Sequence, residues 1–469
     1  MSAIRKLVAT GLLVWLSSTT ALASAGDRAP QVSDIFSPEN QTQKVLDIEA
    51  ALASAQADLD IIPQWAAREI KAKASTEYVS QEDLAAEYRV VRHRMVALLN
   101  VWQRSLKPEA AEYMHFGATT VDIYDTALVL QLEESTRALI IQLRALEEIL
   151  MRLAAEHKGT VMVGRTLGQH ALPITFGKKV STWLGENRRN IERLKDVHKR
   201  LLRSGILKGA VGSYAGLGED GIEVERAFAK HLGLKEPYPD DWHGARDVLA
   251  EYAFTLALIS KSYGRIGNEL FLLQMTDIGE TEEVRPKTAV GSSTMPHKKN
   301  PSKSEALIFY SRSIPRTAEI IADDMINAFE RDNTSRTNRL LADISIEAEE
   351  MLNAAAGLLG NLKVNEAVMA ENLEKTGGMI LSQRVTFALA DKIGKTTANS
   401  RLHELAVEAM AEGISLRQAI EQAPDIAPHF TSRELDELFD STTYLGLAEE
   451  QVEAVIAYCR EARKGDFPG

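Results

Sequence analysis

The sequence predicts an all-α protein built around a bundle of long helices, and three observations carry that prediction. Leu249, Tyr252, Leu256, Ile259, Tyr263, Ile266, Leu270 and Leu273 keep apolar side chains three or four residues apart through a stretch without proline, the spacing of a single helix face. Leu132, Leu139, Leu143, Leu146, Leu150 and Leu153 nearly repeat the pattern. Segments with the two-residue alternation of strands are scarce. Helices of about 30 residues reach on the order of 45 Å, longer than one small domain needs. Such helices pack side by side in a bundle that also recruits other copies of the chain.

The elements follow in chain order. Met1 to Lys6 is positively charged, Leu7 to Leu16 is mostly apolar, and Ala21-Leu22-Ala23-Ser24-Ala25 is small. That is the layout of a secretory leader over residues 1–25, and the apolar run is too short to span a bilayer comfortably. A helical N-terminal part is expected over 26–118, opening after Ser37-Pro38 and closing after Lys107-Pro108. The long-helix core is expected over 119–362, broken at 205–221, 235–242 and 285–301 where Gly and Pro gather. A smaller helical part, 363–469, ends the chain.

Composition removes several functional classes. With 469 residues and 45% apolar side chains the chain can bury a large core. Its 54 basic and 66 acidic residues give a formal charge of −12, which argues against nucleic acid or an anionic membrane as a partner. An anionic substrate must therefore meet a local basic pocket. The lone cysteine, Cys459, cannot form an internal disulfide. The ten histidines show no HExxH arrangement and no cysteine partner, so no metal site is expected. Gly216-Leu-Gly-Glu-Asp-Gly221 fits the GxGxxG pattern, yet no β-rich run precedes it and two acids sit where a pyrophosphate would lie; it reads as a turn.

Four polar stretches carry the chemistry. Gly291-Ser-Ser-Thr-Met-Pro-His-Lys-Lys-Asn-Pro301 joins hydroxyls, two lysines and an amide on a loop shaped by Gly and Pro. His115-Phe-Gly-Ala-Thr-Thr-Val-Asp122 sets His115, Thr119 and Thr120 ahead of a long helix starting near Asp122, where hydroxyls and free amides suit a carboxylate; the plainer reading is N-capping by Thr120 or Asp122. Gly164-Arg-Thr-Leu-Gly-Gln-His-Ala-Leu-Pro-Ile-Thr-Phe-Gly177 brings Thr166, Gln169 and His170 to a turn before a helix from about Lys178. Finally, Glu330 to Arg339 offers Arg331, Arg336 and Arg339 in a polar loop, and guanidinium forks suit carboxylate or phosphate.

These stretches together resemble the fumarase/aspartase superfamily, whose members eliminate a group β to a carboxylate, usually releasing fumarate. GSSTMPHKKNP is similar to its signature, HFGATTVD to the carboxylate motif of adenylosuccinate lyases, and the 164–177 stretch to a further family motif. Arg92-His93, in a segment that reads as helical, resembles a pair near the adenylosuccinate lyase pocket. Phe36-Ser-Pro-Glu, Leu46-Asp-Ile-Glu-Ala-Ala-Leu-Ala53, Trp242-His-Gly-Ala-Arg-Asp247 and Tyr444-Leu-Gly446 are similar to bacterial carboxymuconate cycloisomerases. The resemblance covers nearly the whole chain after the leader.

It implies the superfamily's long-helix bundle with smaller helical ends, a homotetramer whose pockets combine three subunits, and chemistry without a cofactor. It makes Ser293 the proton-abstracting base. Lys298, Asn300, Thr119 and Thr120 would then hold the dianion that develops, with Lys298 and loop amides lowering the serine's pKa. Many members carry a histidine, often treated as the general acid, directly after the Thr of the 164–177 motif. This chain has Leu167 there, which leaves His170 and His115 as candidate acids. The 330–339 stretch does not reproduce the phosphate positions of adenylosuccinate lyases. The expected activity is β-elimination at a C–N or C–O bond of a small polycarboxylate. Carboxymuconate cycloisomerisation, adenylosuccinate cleavage and a non-catalytic scaffold are the alternatives.

Overall fold

The computed structural model describes residues 31–240, 243–286, 288, 294–295, 297–332, 334 and 337–466. The predicted leader, Ser293 and Arg336 lie outside the described residues.

Helices dominate, as the apolar spacing requires. Thr120–Glu156, Phe176–Leu201, Asp247–Leu273, Ser302–Ala322 and Asn338–Leu359 share one core. Leu132, Leu139, Leu143, Leu146 and Leu150 from the first of these meet Leu256, Tyr263, Ile266 and Leu270 from the third within it. Two glycines let the 247–273 and 302–322 helices approach closely. A Cβ on Gly264 would fall 2.2 Å from the Ser311 Cβ, and one on Gly267 would fall 2.6 Å from the Leu307 Cβ.

One buried charge cluster ties the chain's end to this core. Arg188 donates from Nε and Nη2 to Glu147 at 2.6 and 2.5 Å and from Nη1 to Asp466 at 2.9 Å. All three side chains are fully buried. The Ala448–Ala462 helix returns to the same core through Val452, Ile456 and Cys459.

Two smaller cores flank the bundle. The Pro38–Asp58 and Arg94–Trp102 helices pack with Gly221–His231 and with Ile123 and Ala127 at the start of the 120–156 helix. Near the C-terminus, Ser382–Ile393, Lys395–Glu412 and Leu416–Gln422 form a separate apolar cluster.

Strand is confined to two antiparallel pairs among the described residues. Val161–Thr166 pairs with Gln169–Thr175, and Thr281–Glu283 with Leu362–Val364. The first pair corrects the sequence reading of 164–177. What read as a turn before a helix from Lys178 is a hairpin, and the helix begins at Phe176. Val161 and Val163 supply β-branched residues at alternate positions, and Leu167-Gly168 closes a two-residue turn with φ of 51° and 77°, which matches a hairpin's twist.

The 37-residue Thr120–Glu156 helix sets the scale of the molecule, since at 1.5 Å per residue it spans about 55 Å. At its near end lie 115–122, 205–217, 243–246, 323–332 and 337–339. At its far end lie the hairpin, 277–283, 294–295 and 297–304.

Candidate active site

At the near end, the 115–122 segment is built as a rigid entry to its helix. His115 sits at φ 53° and Gly117 at φ 78°. A Cβ on Gly117 would meet the Gly216 carbonyl oxygen at 2.6 Å, so only glycine lets the two loops touch. The 38–58 helix braces this segment, Gln56 Nε2 donating to the Phe116 carbonyl at 2.7 Å. Thr119 is the N-cap and Thr120 the first helical residue. Thr119 and Asp122 form a capping box, in which Asp122 Oδ2 accepts from the Thr119 amide at 2.9 Å.

His115 Nδ1 lies 2.7 Å from Glu49 Oε1, a carboxylate buried in the 38–58 helix. Burial pulls the imidazole pKa down, but the hydrogen bond and charge of Glu49 outweigh it and leave His115 above its ordinary value. His115 therefore keeps its proton more readily than a free histidine.

Asp122 is the hub of a buried network. It accepts from the amides of Lys208 and Gly209, each at 3.1 Å, and its Oδ1 lies 3.1 Å from His243 Nε2. His243 Nδ1 lies 2.6 Å from Asp125 Oδ2. With a carboxylate on each ring nitrogen, His243 is held above its ordinary pKa although burial opposes it. Burial also raises Asp125, yet His243 and Arg246 outweigh this and bring it down to about 2. Arg246 donates to Asp125 at 2.7 Å and to Asp324 at 2.8 Å, and Thr337 Oγ1 donates to the same Asp324 oxygen at 2.8 Å.

This network opens onto a cavity of about 450 Å³ lined by Arg94, Asp125, His243, Arg246, Arg331 and Arg339, among others. Arg331 thus reaches a pocket, as does Arg339, which lies in the first turn of the 338–359 helix and not in a loop. Arg92 and His93 do not sit within a helix, contrary to expectation. They form the break between Gln81–Val91 and Arg94–Trp102. Arg92 is left-handed at φ 57°, and His93 Nδ1 accepts from the Val96 amide at 3.3 Å. Both side chains are exposed, and neither lines the cavity.

The far end holds the remaining candidates. Thr166 and Gln169 flank the hairpin tip and are exposed. Leu167 is fully exposed there. Beneath it, Arg165 makes a two-pronged pair with Glu280 at 2.9 and 2.7 Å. His170 is half-buried, and its Nδ1 has no partner among the described residues. Burial and the nearby Arg165 charge push its pKa below the ordinary value, so His170 gives up a proton more readily than a free histidine. Lys298 is exposed and Asn300 half-buried on the same side. Lys299 pairs with Glu282, and Glu283 accepts from the Ser304 amide at 2.9 Å, which anchors the downstream side of the loop that contains Ser293.

The structure thus gathers His115, Thr119, Thr120, Arg331 and Arg339 at one end and Thr166, Gln169, His170, Lys298 and Asn300 at the other. Among the described residues no hydrogen bond or ion pair joins the two groups. Glu49, Asp125, His243 and Arg246 were missed as site residues. Two of the motifs quoted as branch markers, 46–53 and 242–247, contain three of them, and only the fold shows that they surround Asp122 and His115.

A long-helix bundle with a histidine of raised pKa ahead of its longest helix and with arginine and lysine candidates near its two ends fits the class of lyases that the sequence resembles. Comparison with known proteins agrees. A family model described as "Lyase" matches residues 24–315, and one described as "Adenylosuccinate lyase C-terminus" matches 378–455. The adenylosuccinate lyase of Methanocaldococcus jannaschii is 38% identical over 91% of this chain and 93% of its own. An N-acetyl-S-(2-succino)cysteine lyase of Dickeya dadantii is 37% identical over 92% and 94%. The crystal structure of the 3-carboxy-cis,cis-muconate lactonizing enzyme from Pseudomonas putida superposes with a TM-score of 0.84 at 32% identity, covering 92% of this chain and 97% of that one. The chain belongs to the fumarase/aspartase superfamily and is a lyase of that group.

Proposed function

We propose that this lyase releases fumarate by cofactor-independent β-elimination from a small succinyl-bearing polycarboxylate, with the departing atom a sulfur. The observation that carries this reading is Leu167, exposed at the hairpin tip where many superfamily members carry an acid. A thiol has a pKa of about 8.5 and leaves as a stable thiolate, whereas an amine needs a proton as it departs. The name of the Dickeya dadantii relative, a succinocysteine lyase, supports the same bond.

Ser293 takes the proton from the carbon next to the carboxylate in this proposal. Lys298 and Asn300 stabilise the charge that builds up, and Thr119 and Thr120 bind a substrate carboxylate at the helix start. His115, the candidate whose pKa is raised, supplies whatever proton the departing group takes up. The proposal also makes the enzyme a homotetramer, because its two halves lie about 55 Å apart in one chain. Exposed Phe254, Leu258 and Leu272 on the 247–273 helix and Phe309 and Ile320 on the 302–322 helix give the bundle apolar surface to bury against other copies. Export is part of the reading too; N-terminal sequencing of protein from the periplasmic fraction tests it, and intact Met1 there would overturn cleavage of the leader.

Incubation with S-(2-succino) thioethers and N-succino amines, followed by the ultraviolet absorption of fumarate, tests the activity. Faster fumarate release from the thioethers is expected. A preference for the amines overturns the sulfur assignment. Consumption of a carboxymuconate in place of both favours the second reading, cycloisomerisation, which the 242–247 motif supports. Binding of dicarboxylates with no conversion of any compound would point to a scaffold.

A further inference from the structure

We infer that the near-end cavity holds the departing group of the substrate, that this group carries its own carboxylate, and that Arg94 is the residue that selects for it. This rests on the proposed elimination and goes beyond it by naming what the leaving thiol must look like.

Four guanidinium groups, from Arg94, Arg246, Arg331 and Arg339, line the cavity of about 450 Å³, a volume in the range of small-molecule sites. They are not equivalent. Arg246 is spent on Asp125 and Asp324 at 2.7 and 2.8 Å. Arg339 lies 3.7 Å from Asp343, and Arg331 has interactions of its own. Arg94 makes no hydrogen bond or ion pair among the described residues, and its side chain is exposed to the cavity.

Its place in the fold makes that observation informative. Arg94 is the first residue of its helix, where the positive end of the helix dipole disfavours a cation. Two residues earlier, Arg92 is in the left-handed region at φ 57°, a conformation unfavourable for a non-glycine residue. Helix stability therefore gains nothing from a cation here, and a local backbone cost accompanies its placement. An unpaired guanidinium facing a pocket is a carboxylate receptor with its donors still available.

The charge around it decides between anions. Asp125, Asp324 and Asp332 line the same cavity and would repel a doubly charged phosphate more than a singly charged carboxylate. The cavity is thus suited to a thiol bearing one carboxylate, such as an N-acylated cysteine.

Two thiols that differ only in that carboxylate, N-acetylcysteine and N-acetylcysteamine, test the inference by isothermal titration against the full-length enzyme. Wild type should bind N-acetylcysteine at least about tenfold more tightly, and Arg94→Ala should abolish that preference while Arg94→Lys retains part of it. The corresponding S-succino thioethers should show the same loss in the ratio of their kcat/KM values. Equal binding of both thiols by wild type, or an unchanged preference in Arg94→Ala with native circular dichroism, overturns the inference. Should neither thioether release fumarate, the elimination reading fails, and the titration still decides whether Arg94 recognises the carboxylate.

Discussion

At the scale of single residues, the chemistry turns on which groups hold a proton. His170 and His115 were equivalent on the sequence, where a histidine is only a letter; the folded surroundings separate them, burial beside Arg165 lowering the pKa of one and Glu49 raising that of the other. If His115 donates a proton in turnover, the alkaline limb of kcat/KM lies above the ordinary 6.5. Glu49→Gln removes the group that raises it, so that limb should move to lower pH. A limb that stays in place in Glu49→Gln would remove His115 from the proton transfer. The same shift has a stability side. A raised folded pKa stabilises below the unfolded value and loses that contribution as pH rises through the folded value, so the His115–Glu49 pair weakens under alkaline conditions. Ser293→Ala tests the other proton. Turnover should fall by at least about a thousandfold, as is usual for loss of a group acting directly on the reacting atoms, with unfolding temperature unchanged; near-normal turnover would refute the base assignment. Ser293, Lys298 and Asn300 were legible as candidates because a dense polar stretch between Gly291 and Pro301 is distinctive as sequence. Glu49, Asp125 and His243 were not, since each is an ordinary acid or imidazole until the fold brings them onto His115 and Asp122.

At the scale of elements, the long helices were legible and the hairpin was not. A leucine face maintained over 20 or more residues leaves few alternatives to a helix, and Leu132 to Leu153 and Leu249 to Leu273 indeed lie in one core. The hairpin's strands have only six and seven residues, and Gly164 and Pro173 interrupt them, so local composition reads as a turn. Its tip also carries a prediction. Leu167→His introduces a titratable group where φ of 51° is one that histidine tolerates better than a branched aliphatic residue. That variant should gain fumarate release from N-succino amines relative to thioethers, measured as a ratio of kcat/KM values; an unchanged ratio would mean the tip does not reach the departing atom. The buried cluster carries a second. Arg188→Ala leaves Glu147 and Asp466 buried without their main partner, a loss of about 3–5 kcal/mol, visible as a lower urea midpoint at fixed protein concentration. Asp466 is raised by burial but held below 3.8 overall by Lys195 and Arg188. Its contribution is therefore present above the unfolded pKa and lost as pH falls through the folded one.

At the scale of the whole molecule, the central fact is that one helix separates the two groups of candidate residues. His115, His243 and the arginine cavity stand at one end of Thr120–Glu156, and the hairpin with Lys298 stands at the other. A rigid 37-residue helix holds them about 55 Å apart, and no loop movement of a few residues closes that distance. Either one end acts alone or the halves come from different copies. These alternatives differ in a measurable way. His115→Ala damages only the near half and Lys298→Ala only the far half. If each end acts alone, co-expressing the two variants with different tags yields hetero-oligomers no more active than the parents. If the halves come from different copies, some sites in the same hetero-oligomers receive an intact near half from one chain and an intact far half from another. Activity should then return to well above that of either variant. A mixture of two near-end variants, His115→Ala and Arg246→Ala, should recover nothing, because every site lacks a sound near half. Failure of the first mixture in tag-purified hetero-oligomers of native size would confine catalysis to one end of a single chain and remove the physical basis for assembly in the proposed mechanism.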